Sequence, residues 1–173
     1  MSNEIRVALT NLGQYNEGKL NFVWLALPAT EDEITKALEA IDIDGERYEE
    51  YFITDYEAPF KIGEYDNLDG LNEIAEAYDD LDEDERAVVE AYMENLYDDF
   101  EEAVGAVTSG EYRIWYGCDD MEDVAIEMVN EGYFGGVPEG SLSTYIDYKA
   151  IGRDLRLEGD FFETAQGIIE FYS

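Results

Sequence analysis

Negative charge is the dominant feature of this sequence. Asp and Glu supply 44 of its 173 residues against 10 Lys and Arg, which leaves a net charge of −34. A chain with so much like charge folds only if buried apolar surface offsets both the electrostatic repulsion and the chain entropy. Here 46% of the residues are hydrophobic and 14% are aromatic, a composition unlike that of a disordered acidic tail. We therefore predict a folded protein with a strongly negative surface.

The missing residue types exclude several kinds of site. Without histidine there is no Ser-His-Asp catalysis and no histidine-bound zinc, and the single Cys118 cannot form an internal disulfide. The acidic run that starts at Asp80 fails as a calcium-binding EF-hand loop, because Glu85 stands at the sixth position, where glycine is needed, and Ala91 at the twelfth. We predict no catalytic residue, no metal site and no cofactor, although residue types alone leave a catalytic carboxylate pair open.

The same charge limits the partners. It repels nucleic acid and anionic lipid, so we expect a basic protein partner, no direct binding to nucleic acid and no membrane contact. The N-terminus lacks a signal-peptide core, and the most apolar stretch, Phe22–Leu27, is far shorter than the roughly 20 residues of a membrane helix. We expect a cytoplasmic protein. Halophilic adaptation also produces acidic surfaces, but it leaves the aromatic content unexplained.

Apolar spacing in the first third predicts a mixed α and β structure. Alternating apolar residues predict a strand over residues 5–9, and the apolar residues at 22–27 and 51–53 predict two more strands. Thr30 followed by Glu33 is typical of a capping box, and it predicts the start of a helix between the second and third strands.

The middle third reads as helical. Apolar residues recur every three or four positions, which predicts one helix around residues 71–78 and a second over residues 89–103. On the second helix the face opposite the apolar residues carries Glu90, Glu94, Asp98 and Glu102. The alternative is an ordinary solvated face of an amphipathic helix. Like charges at this spacing destabilise a helix by about 0.2–0.5 kcal/mol per pair, however, and an uncompensated row favours selection for charge.

The last third returns to mixed α and β. A strand is predicted over residues 112–116, and Asp119 is expected to cap the helix that follows. A helix is then predicted over Tyr145–Leu157, and two closing strands at residues 161–162 and 168–172. Together these elements predict an α+β protein.

Charge varies along the chain in a way that suggests three regions. Residues 1–30 are neutral overall, whereas residues 31–60 hold 11 acids and 2 bases. Residues 61–104 hold 17 acids and 2 bases, and residues 105–173 hold 14 and 4. We predict three small domains: an α+β domain over residues 1–60, an acidic helical domain over residues 61–104, and an α+β domain over residues 105–173.

The amount of charge is comparable with that of a short DNA duplex. B-DNA carries one charge per roughly 1.7 Å of axis, so 34 charges correspond to about 58 Å of duplex. The amount of charge therefore permits imitation of DNA but does not by itself identify it.

Four stretches give the sequence a family resemblance. Residues 11–20 (NLGQYNEGKL), 55–60 (DYEAPF), 119–125 (DDMEDVA) and 145–155 (YIDYKAIGRDL) together resemble the ArdA antirestriction proteins of conjugative plasmids and transposons. The resemblance implies an elongated, three-domain homodimer without enzymatic activity, acting in the cytoplasm of a bacterial host. It further implies a DNA mimic that binds type I restriction–modification enzymes at their methyltransferase core of specificity and modification subunits. The alternative is an acidic binding module for another basic DNA-binding protein.

Two sets of candidate residues follow. The candidate DNA-mimic surface comprises Asp69, Glu73, Glu76, Asp80, Glu90, Glu94, Asp98, Glu102, Asp119, Asp120 and Glu122. The candidate dimer interface lies in residues 133–148, where Glu139 and Asp147 are the only acids. Sparse charge and available apolar area favour pairing there, and the resemblance implies it, although the same residues could form local core. The interface set is Tyr133, Phe134, Val137, Pro138, Leu142 and Tyr145.

Overall fold

The computed structural model describes residues 4–138 and 140–172, and the chain divides into two compact units at the Asp82–Glu83 junction. Each unit contains one three-stranded antiparallel sheet together with helices, which confirms the α+β prediction. The junction between the units falls inside the region predicted as a helical domain. The division into three domains stays a prediction.

The first unit builds its sheet in the order β2-β1-β3, with both neighbours antiparallel to the central strand. Val7 and Leu9 on β1 are fully buried, and Ile41 after the second helix joins them in the core. The elements are β1 (Ile5–Asn11), α1 (Leu12–Asn16), β2 (Phe22–Leu27), α2 (Glu31–Ala40), β3 (Tyr51–Glu57) and α3 (Leu68–Asp79).

Side-chain caps fix where the helices of this unit begin. The predicted capping box of α2 is confirmed, because the Thr30 hydroxyl accepts from the Glu33 amide and the Glu33 carboxylate accepts from the Thr30 amide. Asn11, fully buried, caps α1 and donates from Nδ2 to the carbonyl of Ile41 at 2.8 Å. Asn67 caps α3.

The second unit builds its sheet in the order β4-β6-β5, so that the last strand of the chain lies in the centre. The two predicted closing strands are confirmed, and the turn between them lies at residues 165–166, because Gly167 already belongs to the last strand. The elements are α4 (Glu83–Asn95), α5 (Phe100–Ser109), β4 (Tyr112–Tyr116), α6 (Met121–Asn130), a 3-10 helix (Gly140–Tyr145), α7 (Tyr148–Glu158), β5 (Asp160–Thr164) and β6 (Gly167–Phe171).

Helices cover both faces of this second sheet. On β6, Ile169 packs with Val88 of α4, whereas Ile168 packs with Val124 of α6 on the opposite face. Successive strand residues point to opposite sides of a sheet, so each isoleucine packs into the core on its own side. Tyr112, Ile114 and Phe162 extend the core beside α4, and Trp115 and Phe161 extend the core beside α6.

Three sequence predictions of helix boundaries are wrong. The helix expected over residues 89–103 is two helices, since α4 ends at Asn95 and α5 begins at Phe100. Asp120, not Asp119, caps α6, because its side chain accepts from the amides of the two first-turn residues. The helix expected over Tyr145–Leu157 begins at Tyr148, where Asp147 provides the cap.

Candidate acidic surface

The clearest row of carboxylates in the structure lies on α3. Asp69, Glu73, Glu76 and Asp80 are all exposed, and at 3.6 residues per turn they fall within about 60° of one another around the helix axis. The buried residues of α3 occupy the opposite side; they are Leu68, Leu71, Ala75 and Tyr78. The predicted carboxylates of this helix therefore form one solvent-facing row, which we call the α3 row.

Neutralising partners are scarce along the α3 row. Within the part of the chain that the structure describes, Asp69, Glu73 and Asp80 form no ion pair. Glu76 accepts one long hydrogen bond, 3.4 Å, from the amide of Asn72. The row therefore faces solvent with almost no neutralising contact from the rest of the chain.

The predicted row Glu90, Glu94, Asp98 and Glu102 does not exist as one helical face. Glu90 and Glu94 lie on α4, Asp98 lies in the connection, and Glu102 lies in the first turn of α5. Glu90 is half-buried, whereas the other three carboxylates are exposed. The break occurs because Asp99 leaves the helical conformation and caps α5, its Oδ1 accepting from the Glu102 amide at 3.0 Å. Asp99 with Glu102 three residues later is the sequence signal that would have located the break.

The third predicted group gathers at the start of α6. Asp119, Asp120 and Glu122 are exposed and adjacent. Asp120 accepts from the amides of Glu122 and Asp123, at 2.8 and 3.1 Å, so this carboxylate also holds the helix end. Negative charge here is stabilised by the helix dipole. The structure thus keeps two of the three predicted carboxylate groups as clusters and separates the other.

Sequence reasoning missed many acids that begin helices. The first turns of α2 and α4 each contain three consecutive acids, Glu31–Glu33 and Glu83–Glu85. Among the described helices, only α7 has a basic residue, Arg156, in its last turn. Much of the negative charge therefore lies where a helix N-terminus lowers its free energy. The sequence signal for these acids is that each run directly follows a capping residue or a turn.

The candidate interface residues are all exposed in the single chain. Tyr145 is 82% exposed, Leu142 63% and Tyr133 59%, and no residue of the 3-10 helix is buried. Phe134, Val137 and Pro138 are exposed as well, and Glu139 lies outside the described residues. These residues form a surface segment of apolar side chains, which we call the 133–145 segment.

One end of the 133–145 segment is tied to the second sheet. Arg113 on β4 donates to the Tyr133 hydroxyl at 2.8 Å and to the Glu131 carboxylate at 2.7 Å. Its guanidinium lies 3.6 Å from the ring centroid of Trp115. The hydrogen bond to Glu131 raises the pKa of Arg113 above its usual value, while burial opposes that shift.

Comparison with protein families identifies the group to which these features belong. The family model described as Antirestriction protein (ArdA) matches residues 7–170 of the 173-residue chain. The chain belongs to the ArdA antirestriction protein family. Comparison with curated proteins finds no match. ArdA proteins are inhibitors and not enzymes.

Two of the stretches that resemble ArdA proteins contain residues with clear structural roles. Asn11, which opens the first stretch, caps α1 and connects β1 to the end of α2. Gly152, in the last stretch, is buried where α7 crosses the start of α6, and a Cβ atom there would overlap the Met121 carbonyl oxygen. In this ArdA chain the resemblance therefore reflects packing requirements as well as surface charge.

Residues 4–138 and 140–172 contain no group of three or more Cys, Asp or Glu side chains arranged to hold a metal ion. No helix in the described residues is both long and apolar enough to span a membrane. An open cavity of about 520 Å³ lies beside α2, lined by residues that include Thr35, Leu38 and Asp42.

Proposed function

We propose that this protein inhibits type I restriction–modification enzymes by imitating DNA. Its carboxylates would occupy the DNA-binding groove of the methyltransferase core, which the specificity and modification subunits form. The observation that carries the proposal is the α3 row, four exposed carboxylates on one helical face in a chain of net charge −34 from an antirestriction family. Family membership supports antirestriction, and the row supplies the physical means.

The spacing of the α3 row suits a phosphate-binding groove. With a rise of 1.5 Å per residue, the four carboxylates span about 16.5 Å, or about one charge per 5.5 Å. One strand of B-DNA presents a phosphate about every 3.4 Å of axis, so the row is somewhat sparser than a single strand. Other exposed acids of the chain add to it. A groove lined with Lys and Arg would attract such a surface and release counterions on contact.

Imitating phosphates without imitating base edges fits an inhibitor of enzymes with different target sequences. Phosphate contacts supply the nonspecific part of DNA affinity and a large share of the rest, whereas base edges supply sequence discrimination. We therefore propose that inhibition is distributed over many carboxylates, so that a single change such as Glu94→Gln alters binding little. The protein acts by occupancy and needs no catalytic group.

We further propose that the protein pairs into a homodimer through the 133–145 segment. All six candidate residues are exposed and apolar, which favours an interface over local core. Two copies of net charge −34 repel each other, so contact is least unfavourable where acids are few. The Arg113 contacts hold Tyr133 in place and so reduce the entropy lost on pairing.

Displacement of labelled target DNA from a purified type I methyltransferase tests the proposal. We expect the protein to displace the DNA, and its affinity for the enzyme to fall as salt rises, because both surfaces shed condensed ions on binding. The unaltered protein is compared with a triple variant of the α3 row, Glu73→Gln/Glu76→Gln/Asp80→Asn. We expect the variant to need a higher concentration than the unaltered protein to displace the DNA. Affinity that is unchanged between low and moderate salt contradicts the mechanism. Capture of a histone-like protein in place of the methyltransferase favours the alternative, an acidic module for another basic partner.

A further inference from the structure

Basic residues of this acidic chain are concentrated on one face of α7. Three of the ten Lys and Arg residues lie on this helix at spacings of four and three residues; they are Lys149, Arg153 and Arg156. At 3.6 residues per turn they lie within about 60° of one another. All three side chains are exposed. We call this group the α7 basic stripe.

Packing of the helix leaves the stripe beside its buried side, with all three cations exposed. The side of α7 that meets α6 carries Gly152, which is buried, and Leu155, which packs against the core beside α6. The two acids of the helix, Asp154 and Glu158, lie on a third side, at least about 100° from the stripe. Leu157, 80% exposed, lies next to the stripe. This face of α7 therefore combines three cations with one apolar side chain.

Contacts within the chain leave the stripe open to a partner. Arg153 pairs with its neighbour Asp154 at 2.9 Å, and Arg156 pairs with Glu163 of β5 at 2.9 Å. The side chains of both arginines remain more than half exposed, and ion pairs of this kind contribute little stability. Within the described residues Lys149 forms no ion pair. Each cation keeps hydrogen-bond donors available for another carboxylate.

We propose that the α7 basic stripe docks against the acidic surface of a second copy of this chain. The inference rests on the proposed pairing and adds the residues that make two such negative bodies compatible. A copy of net charge −34 offers many exposed carboxylates, which are the charge complement of the stripe. The basic groove of a restriction enzyme would instead repel it. α7 also begins only three residues after Tyr145, so the stripe continues the 133–145 segment.

Symmetry doubles the effect of the stripe. In a two-fold dimer each copy contributes the same surface, so six cations face carboxylates across the contact. The apolar side chains of the 133–145 segment then provide buried area, and the stripe provides counter-charge beside it. The acidic surfaces remote from the contact remain free for the enzyme.

Sedimentation equilibrium of two triple variants with the same net charge tests the proposal. Lys149→Glu/Arg153→Glu/Arg156→Glu removes the stripe, whereas Lys19→Glu/Lys36→Glu/Lys61→Glu changes three exposed lysines elsewhere. Both variants lower the net charge by six, so general repulsion is matched. We expect the stripe variant to raise the dimer dissociation constant about tenfold or more beyond the control, as opposed charges at an interface become like charges. Equal weakening by the two variants overturns the proposal, and circular dichroism checks that both fold.

A cross-linking measurement on the unaltered protein does not depend on folding of a variant. Lys149 is the only lysine after residue 61, so its links are easily identified. A carbodiimide applied to mixed ¹⁴N and ¹⁵N protein joins amines to carboxylates in direct contact. We expect cross-links between Lys149 and carboxylates of the other copy. We expect no cross-links between copies from Lys36, whose nearest carboxylate is Asp32 of its own helix. Links from Lys149 only within its own chain overturn the proposal.

The outcomes separate this proposal from the proposed pairing. If the unaltered protein is monomeric at all concentrations, both fail. If it is dimeric and Val137→Glu splits it while the stripe variant does not, only the stripe proposal fails. If the unaltered protein binds labelled DNA and the stripe variant does not, the stripe serves nucleic acid and the assignment to a second copy is wrong.

Discussion

At Gly152 the backbone of α7 comes so close to α6 that there is no room for a side chain, because a Cβ atom would overlap the carbonyl of Met121. We predict that Gly152→Ala lowers the free energy of unfolding by about 1–3 kcal/mol, the usual range for overpacking. Gly105→Ala, within α5 and with open space around it, is the matched control. It is expected to raise stability by about 0.4–1 kcal/mol, since alanine restricts the unfolded chain. Urea unfolding measures both, and a stabilised Gly152→Ala would show that the two helices separate readily.

Cys118 gives a prediction about alkaline pH. The pKa of its thiol is raised mainly by burial. Nearby carboxylates raise it further; they belong to Asp123, Glu127, Asp119 and Asp120. The folded protein therefore holds the thiol proton more tightly than the unfolded chain does. The stability due to this group is complete below the unfolded pKa and is lost as pH rises through the folded pKa. We expect the unaltered protein to lose more stability between pH 7 and 9.5 than Cys118→Ala does, measured by urea midpoints. An equal loss would contradict the shift.

At the scale of single elements, the α3 row implies a conflict between stability and binding. Glu73 and Glu76 repel each other along the helix, and Asp80 stands at its negative end. We predict that Glu73→Gln/Glu76→Gln/Asp80→Asn raises the free energy of unfolding by about 1 kcal/mol, because three like-charge pairs disappear. The control Glu31→Gln, at the start of α2, lowers it by about 0.3–1 kcal/mol. Thermal unfolding at low salt distinguishes the signs, and destabilisation of the triple variant would show that these carboxylates have unrecognised partners.

Local signals in the sequence predicted the elements whose cause is local. Runs of apolar residues, alternating in some strands and continuous in Phe22–Leu27, identified the strands, and Thr30 with Glu33 identified the start of α2. The break between α4 and α5 was missed because the apolar spacing continues across it, while Asp99 decides the conformation through one hydrogen bond. The order β4-β6-β5 depends on pairing between strands about 50 residues apart, which local periodicity does not encode.

The candidate site was predicted unevenly for similar reasons. The α3 row follows from spacing alone, since the helix is regular from Leu68 to Asp79. The row through Glu90 and Glu102 failed with the helix on which it depended. The stripe from Lys149 to Arg156 also follows from the spacing of basic residues in the sequence.

For the whole molecule, pairing is the property that one substitution can test. We predict that Val137→Glu gives a folded monomer by sedimentation, because it places a negative charge in an apolar segment with few acids and so adds repulsion between the two copies. Some inhibition survives at higher concentration, since each monomer retains its acidic surface. An exposed substitution outside the segment, Tyr65→Glu, controls for the added charge and stays dimeric. If Val137→Glu stays dimeric while changes in residues 1–60 split the protein, the interface lies elsewhere.

Acids in the first turns of α2, α4, α5 and α6 have a further consequence for how this surface tolerates mutation. Random neutralisation of the carboxylates would produce two kinds of variant. Those that lose an acid at a helix start would fold less well, whatever their affinity for the enzyme, whereas those that lose an acid from the middle or end of α3 would fold better and inhibit less. Drift under relaxed selection for inhibition would therefore erode the α3 row first, and the helix starts would keep their acids longest.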